Sequence, residues 1–205
     1  MPDSPLRLAV LASGRGSNLQ AIIDAIEQRR LQAVLAVVIS NKAEAQALER
    51  ARKHGAPAVF LDPKATPPGR EAYDVAILEH LRKHDVGLVA LAGYMKIVTR
   101  ILIDPYADRI MNIHPSLLPS FPGLAAQQQA LDWGTKMSGC TVHFVEEGVD
   151  MGPIIQQAAV PVLEGDTAES LEARILEQEH RIYPEAIQLF AEGRLTVEGR
   201  RVRIK

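Results

Sequence analysis

The chain has 205 residues, long enough for one full hydrophobic core, or one core with a modest C-terminal extension, and short for two enzyme domains. Nearly half of the residues are apolar, the formal net charge is -2, and no run approaches the roughly 18 uninterrupted apolar residues of a membrane span. These bounds point to a soluble globular protein with no membrane partner. With no Lys/Arg block beyond the tail "GRRVRIK", they give no reason to expect nucleic acid either, while a small anionic ligand remains compatible.

From the N-terminus, "MPDSPLRLAVLAS" has an apolar run too short and too weakly flanked for a secretory signal, so a cytoplasmic location is expected. Apolar runs then alternate with helical patterns. A strand at 6–12 precedes a helix at about 18–29, a strand at 33–39 precedes a helix at about 44–54, and "APAVF" precedes a helix at about 70–84. "VGLVALAG", a short linker and the strand "RIMNIH" follow. This βαβ rhythm predicts a mostly parallel sheet covered on both faces, with Tyr73, Ala76, Ile77 and Leu81 as the sheet-facing stripe of the third helix. After Gly123 the pattern predicts a helix near 124–133, the alternating strand "GCTVHFV", a Gly-rich turn, the strand "PIIQQAAVPV" and a long helix from about Thr167. Asp166 and Glu169 stand at capping-box spacing there, and Pro184 predicts a kink or break. A hairpin, "LTVEGRRVRI", closes the chain. The fold class is therefore α/β, a Rossmann-like three-layer sandwich with antiparallel additions in its C-terminal half, and no linker divides the chain.

Cys140 is the one cysteine and cannot form an intramolecular disulfide, and a zinc site would need scattered histidines at unusual spacing, so no metal is expected. "SGRGSN", residues 13–18, joins the first strand to the first helix, where backbone amides and the helix dipole favour an anion. Leu19 stands where a dinucleotide fingerprint needs its third glycine, the second strand leads into "SNK" rather than an acid, and no Gly-Lys-Ser/Thr follows the glycines. Dinucleotide and Walker-type binding are both disfavoured, and a plain glycine turn remains the other reading of the loop.

In "NIHPSLLPSFPG", Asn112 and His114 alternate onto one face, Met111 and Ile113 onto the other, and Pro115 ends the ladder. Two polar groups at the carboxyl end of a parallel strand lie where open α/β sheets bind ligands. "EEGVDMGP" adds Asp150 between Gly148 and Gly152. If Asp150 faces His114, the three residues suit acyl transfer to an amine. Asn112 and a protonated His114 stabilise the oxyanion, and Asp150 favours the charged imidazole and takes up protons from the attacking amine. Glu179 falls on the apolar face of its helix, between Ile175 and Ile182, while His143, isolated on its strand, reads as structural.

"SGRGSNLQAI", "LAGYMKI", "MNIHPSLLPSFPG", "GCTVHFV", "DMGPII" and "EQEHRIYP", in that order, closely resemble the folate-dependent formyltransferase family, and within it the branch acting on glycinamide ribonucleotide. The resemblance implies transfer of the formyl group of 10-formyltetrahydrofolate to the amine of N1-(5-phosphoribosyl)glycinamide, in purine biosynthesis, by a monomer or homodimer. It implies Asn112, His114 and Asp150 as catalytic residues, Gly16, Ser17 and Asn18 as phosphate contacts, and Glu179 as a nucleotide contact. Folate contacts are implied for Arg70, for Met95, Lys96, Ile97 and Val98, and for Glu146, Glu147, Gly148, Val149 and Asp150. On this reading residues 1–205 form one domain, with a nucleotide-binding half to about 110 and a catalytic and folate-binding half beyond it. The chain departs from the pattern at Ala125, where many relatives carry a histidine that would help position the aspartate or its water. Its absence lowers activity or is covered by a water or by Gln127. The open alternatives are a 10-formyltetrahydrofolate hydrolase, a formyltransferase for another amine, and a non-catalytic phosphate- or folate-binding protein.

Overall fold

The computed structural model describes residues 4–65 and 68–205, so the first three residues of the N-terminal stretch weighed above as a leader lie outside it. The elements run β1 (Leu6–Ala12), α1 (Ser17–Glu27), β2 (Ala33–Ser40), α2 (Gln46–Lys53), β3 (Ala58–Phe60), α3 (Arg70–Lys83) and β4 (Leu88–Leu91). Then come α4 (Arg100–Ile103), a 3-10 turn (Asp104–Tyr106), β5 (Ile110–His114), α5 (Ala126–Asp132), β6 (Met137–Phe144), β7 (Ile154–Pro161), α6 (Ala168–Ala191), β8 (Leu195–Glu198) and β9 (Arg201–Ile204). Among the described residues all nine strands join one sheet in the order β3-β2-β1-β4-β5-β6-β7-β9-β8. The first five strands pair in parallel, β5 to β6 and β6 to β7 are antiparallel, and the terminal hairpin adds on through a parallel pairing of Ile154 with Arg201.

Leu8 to Ala12 of β1 are all 0% exposed, which explains why this strand reads as a continuous apolar run and not as an alternation. Leu8, Val10 and Ala12 pack into a core with Leu19 and Ile22 of α1, Leu48 of α2 and Leu171, Ile175 and Ile182 of α6. Ala9 and Leu11 face a second core with Tyr73, Ile77 and Leu81 of α3 and Leu102 of α4. The sheet is thus the middle of three layers, and each fully buried Leu or Ile in it contributes about 2 kcal/mol of hydrophobic stabilisation.

Helix α6 corrects two expectations. It runs unbroken for 24 residues through Pro184. Proline removes one backbone donor, but Tyr183, Pro184, Ala186 and Ile187 are all buried, and this packing holds the helix together across the gap. The buried Tyr183 hydroxyl also reaches the carbonyls of Leu91 in β4 and Met111 in β5, at 3.0 and 2.9 Å, fixing α6 over the ends of the strands that carry the site. The capping box is formed by Thr167 and Ser170 rather than Asp166 and Glu169. Asp166 is otherwise engaged: it takes a two-pronged bond from Arg174 and the Leu163 N–H. The stretch expected as a plain linker between β4 and β5 contains α4 and the 3-10 turn, seated by the buried Leu102 and Tyr106.

Candidate active site

With β1 central, α1 leads to β2 on one side and the chain later returns to β4 on the other, so the strand order reverses between β1 and β4. Crevices at such reversals, at the carboxyl ends of the strands, are where open α/β sheets bind ligands. A cleft of about 870 Å³ opens there. Its walls are the loops after β1 and β4, the end of β5, the loop before α5, the Asp150 loop and one stripe of α6.

At one end lies the loop after β1. Gly16 has φ 70°, and a side chain there would approach Ala47 of α2 to 2.9 Å, so only glycine lets the loop pass close to α2 as α1 begins. Ser17 and Asn18 are the first residues of α1, where amides lack intrahelical acceptors. Asn18 Nδ2 donates to Glu179 Oε2 at 2.7 Å, and Asn18 Oδ1 is buried without a partner. Gly16, Ser17, Asn18 and Glu179 are therefore brought together at the cleft, as the resemblance implies. Ser13, not singled out in the sequence, ties this end to the next: its Oγ accepts from Met95 N at 2.9 Å and donates to Asn41 Oδ1 at 2.6 Å.

Burial raises the Glu179 carboxyl pKa; the Asn18 bond opposes this and the nearby Glu172 charge adds to it. An acid whose pKa is raised in the folded state gives stability that is present below its unfolded value and is lost as pH rises through the folded value. Glu179→Gln is therefore expected to raise the thermal midpoint of the ligand-free protein at neutral pH, with the gain shrinking as pH falls into the acid range. Calorimetry across pH checks this, and a gain that does not vary with pH would contradict it.

At the centre, Asp150 collects four neighbours. Its Oδ2 lies 3.2 Å from His114 Nδ1 and accepts from Gly123 N at 2.8 Å. Its Oδ1 accepts from Asn112 Nδ2 at 3.3 Å and lies 3.6 Å from His143 Nε2. The three residues expected to act together do converge. His143, expected to be structural, sits directly opposite Asn112 across the antiparallel β5–β6 pair. The His143 Nδ1 donates to the Phe144 carbonyl at 2.7 Å, and its Nε2 stands 3.3 Å from Asn112 Nδ2, beside the Asp150 carboxylate. His114 Nε2 likewise donates to the Phe121 carbonyl at 2.8 Å, because a carbonyl only accepts, so Nδ1 is the nitrogen that faces Asp150. Burial alone would raise the Asp150 carboxyl. The His143 imidazole, the Gly123 N–H and the positive character of His114 outweigh it and hold the group below its ordinary value.

The loops carrying these groups are held in unusual backbone conformations. Phe121, Ala125 and Asp150 all adopt positive φ, at 53°, 55° and 54°. Each such non-glycine residue is costly, and such costs concentrate where geometry serves function. Gly152 closes the Asp150 loop: a Cβ there would stand 1.8 Å from the Phe144 carbonyl oxygen. Gly152→Ala is expected to move the loop off β6 and lower both the unfolding midpoint and turnover, and an unchanged midpoint in thermal melts would contradict this placement. Thr141 steadies the facing loop, accepting from Leu118 N at 3.1 Å and donating to Ser116 O at 2.7 Å.

At the far end the cleft is apolar. Met95, Ile97, Leu124, Val149 and Met151 line it and are exposed, with Lys96, Val98, Glu146 and Gly148 beside them. Lys96 Nζ stacks 4.8 Å from the Tyr73 ring centroid. Two expected folate contacts are not in the cleft wall. Arg70 is exposed at the start of α3, and Glu147 turns outward to Arg100, whose bond lowers its carboxyl pKa. Ala125 lines the cleft at the start of α5, and Gln127 lines it beside Ala125.

The formyl transferase family model matches residues 6–187. The phosphoribosylglycinamide formyltransferase of Escherichia coli K12 is 46% identical over 190 residues, which cover 93% of this chain and 89% of that protein. The trifunctional purine biosynthetic protein adenosine-3 of Drosophila pseudoobscura is 51% identical over 191 residues, 92% of this chain, yet the chain spans only 14% of that protein's length. The crystal structure of glycinamide ribonucleotide transformylase 1 from Symbiobacterium toebii matches with a TM-score of 0.96 at 60% identity, covering 98% of this chain and 94% of that one. With the fold, the cleft at the strand ends and matches running along nearly the whole sequence in agreement, the chain belongs to the formyl transferase family.

Proposed function

We propose that the chain transfers a formyl group from 10-formyltetrahydrofolate to the amine of glycinamide ribonucleotide, giving formylglycinamide ribonucleotide and tetrahydrofolate. The observation that carries this reading is the placement of Asp150, with Asn112 and His114 around it, between an anion-favouring helix start and an apolar end suited to a flat heterocycle. The nucleotide phosphate meets the amides of Gly16, Ser17 and Asn18, and Glu179 accepts from the nucleotide's hydroxyls. The folate ring system lies against Met95, Ile97, Val149 and Met151. Both reacting ends then meet beside Asp150.

The amine lone pair attacks the formyl carbon, a new C–N bond forms, and the carbonyl electron pair moves onto oxygen. Asn112 Nδ2 and the Nδ1–H of the charged His114, the ring nitrogen not bound to the Phe121 carbonyl, donate to that oxyanion. The two contacts of Asn112 Nδ2 are both long, at 3.3 Å, so exchanging one for a short bond to an oxyanion is favourable. Asp150, kept ionised at neutral pH by its neighbours, accepts the proton that the attacking nitrogen loses. The bond to N10 of the folate then breaks and N10 takes up a proton, with no covalent intermediate on the protein. A cytoplasmic location fits this chemistry.

Mixing the protein with 10-formyltetrahydrofolate and following tetrahydrofolate release, with and without glycinamide ribonucleotide, tests the proposal. Release that requires the nucleotide is expected. Release at the same rate without it would identify a hydrolase instead, and no release at all would identify a binding protein.

A further inference from the structure

Glu172, Leu176 and Glu179 line the cleft from α6 at spacings of four and three residues, a single stripe of the helix facing the loop after β1. Two carboxylates in that stripe thus look onto a loop built to hold an anion. Glu172 is paired: Arg15, from the middle of the loop, bonds its carboxylate across 157 residues of sequence and spans the cleft's nucleotide end. The Arg15 backbone is itself fixed, its carbonyl accepting from Arg50 Nε at 2.9 Å, so the loop stays in place while the side chain is free to swing.

The two side chains are 74% and 41% exposed, and ion pairs that face water are weak and easily exchanged. A phosphate dianion is the stronger partner for this guanidinium, because it carries more charge than a carboxylate and can accept two parallel N–H bonds where Glu172 accepts one. From this geometry we propose that Arg15 is a further phosphate-recognition residue and that Glu172 is its internal stand-in anion, displaced when a phosphorylated ligand binds at Gly16 to Asn18. Lys42 lines the same end of the cleft and adds positive charge there without joining the Arg15–Glu172 pair. The proposal rests on the nucleotide reading of this loop and adds a competition to it. Glu172 repels the incoming phosphate and occupies the group that would attract it, so the pair sets how strongly the site discriminates a phosphorylated ligand from an unphosphorylated one.

The consequence is a difference in sign between the two partners. Arg15→Gln removes the attraction, whereas Glu172→Gln releases Arg15 and removes a repulsion. Binding of ribose 5-phosphate and of inorganic phosphate to the whole protein, measured by titration calorimetry, is expected to weaken about tenfold in Arg15→Gln and to tighten about threefold in Glu172→Gln, with Arg15→Lys in between. Unphosphorylated ribose, titrated in parallel, is expected to show no change, and thermal melts verify that each variant is folded. Changes of the same sign in both variants, or no change in either while the parent protein binds phosphate, would reduce the pair to a structural tie and overturn the proposal alone. Failure of the parent protein to bind either phosphate probe would overturn it together with the phosphate-site reading beneath it.

Discussion

Asp150→Asn is expected to lower kcat by about 10²- to 10⁴-fold, the usual contribution of a positioned general base, while KM for either substrate changes by no more than a few fold. Asparagine is the informative replacement because residue 150 has φ 54°, a conformation that Asn and Asp tolerate far better than Ala does. The substitution keeps an acceptor for the Gly123 N–H and removes the charge that faces His114, and with it the group proposed to take the proton. A second signature accompanies the rate loss. The Asp150 carboxyl is held below its ordinary value in the folded protein, so its stabilising contribution is present above the unfolded value and is lost as pH falls through the folded one. Asp150→Asn should therefore lower the unfolding midpoint at neutral pH and narrow the gap to the parent protein in acid. Steady-state kinetics with calorimetry at several pH values checks both. Retained turnover would remove Asp150 from the chemistry, and a stability loss that persists unchanged in acid would mean that the effect is packing and not charge.

Asn112→Ala is expected to cost about 10²- to 10³-fold in kcat, the typical effect of deleting one oxyanion donor. The loss should appear mainly in kcat and not in KM, because the oxyanion exists only during the reaction. Asn112 also donates to Asp150, so truncation leaves this largely buried carboxylate with one partner fewer, and a modest fall in melting temperature should accompany the kinetic effect. Turnover preserved in a folded variant would show that some other donor serves the oxyanion.

Asn112 and His114 were legible in the sequence as a pair because strand alternation places them on one face, and Pro115 marks where the strand ends. The parallel half was legible for a related reason. β1, β2 and β4 are buried on both faces and so appear as apolar runs, and glycine or polar turns punctuate them. His143 was hidden because its role depends on which residue of β5 it faces, and pairing register is a tertiary fact. The Gly123 N–H and the Phe121 carbonyl were hidden more thoroughly. They are backbone groups, and no side-chain identity announces them. Pro184 misled because local propensity favours a break while burial of the surrounding turns favours continuity, and burial prevailed. At the start of α6 the spacing pointed to Asp166 and Glu169, whereas the box forms one residue on, at Thr167 and Ser170, with Asp166 held instead by Arg174. Arg15 and Glu172 lie 157 residues apart, and only the fold brings them together.

Formyl transfer beside Asp150 can be seen in a crystal structure of the protein with glycinamide ribonucleotide and a non-transferable analogue of the formyl folate. The amine nitrogen and the carbon standing for the formyl group are expected about 3 to 3.5 Å apart, the reach of a near-attack geometry, with the analogue's oxygen facing Asn112 and His114 and the amine facing Asp150. Well-ordered ligands whose reacting ends meet elsewhere in the cleft, out of reach of these three side chains, would contradict it.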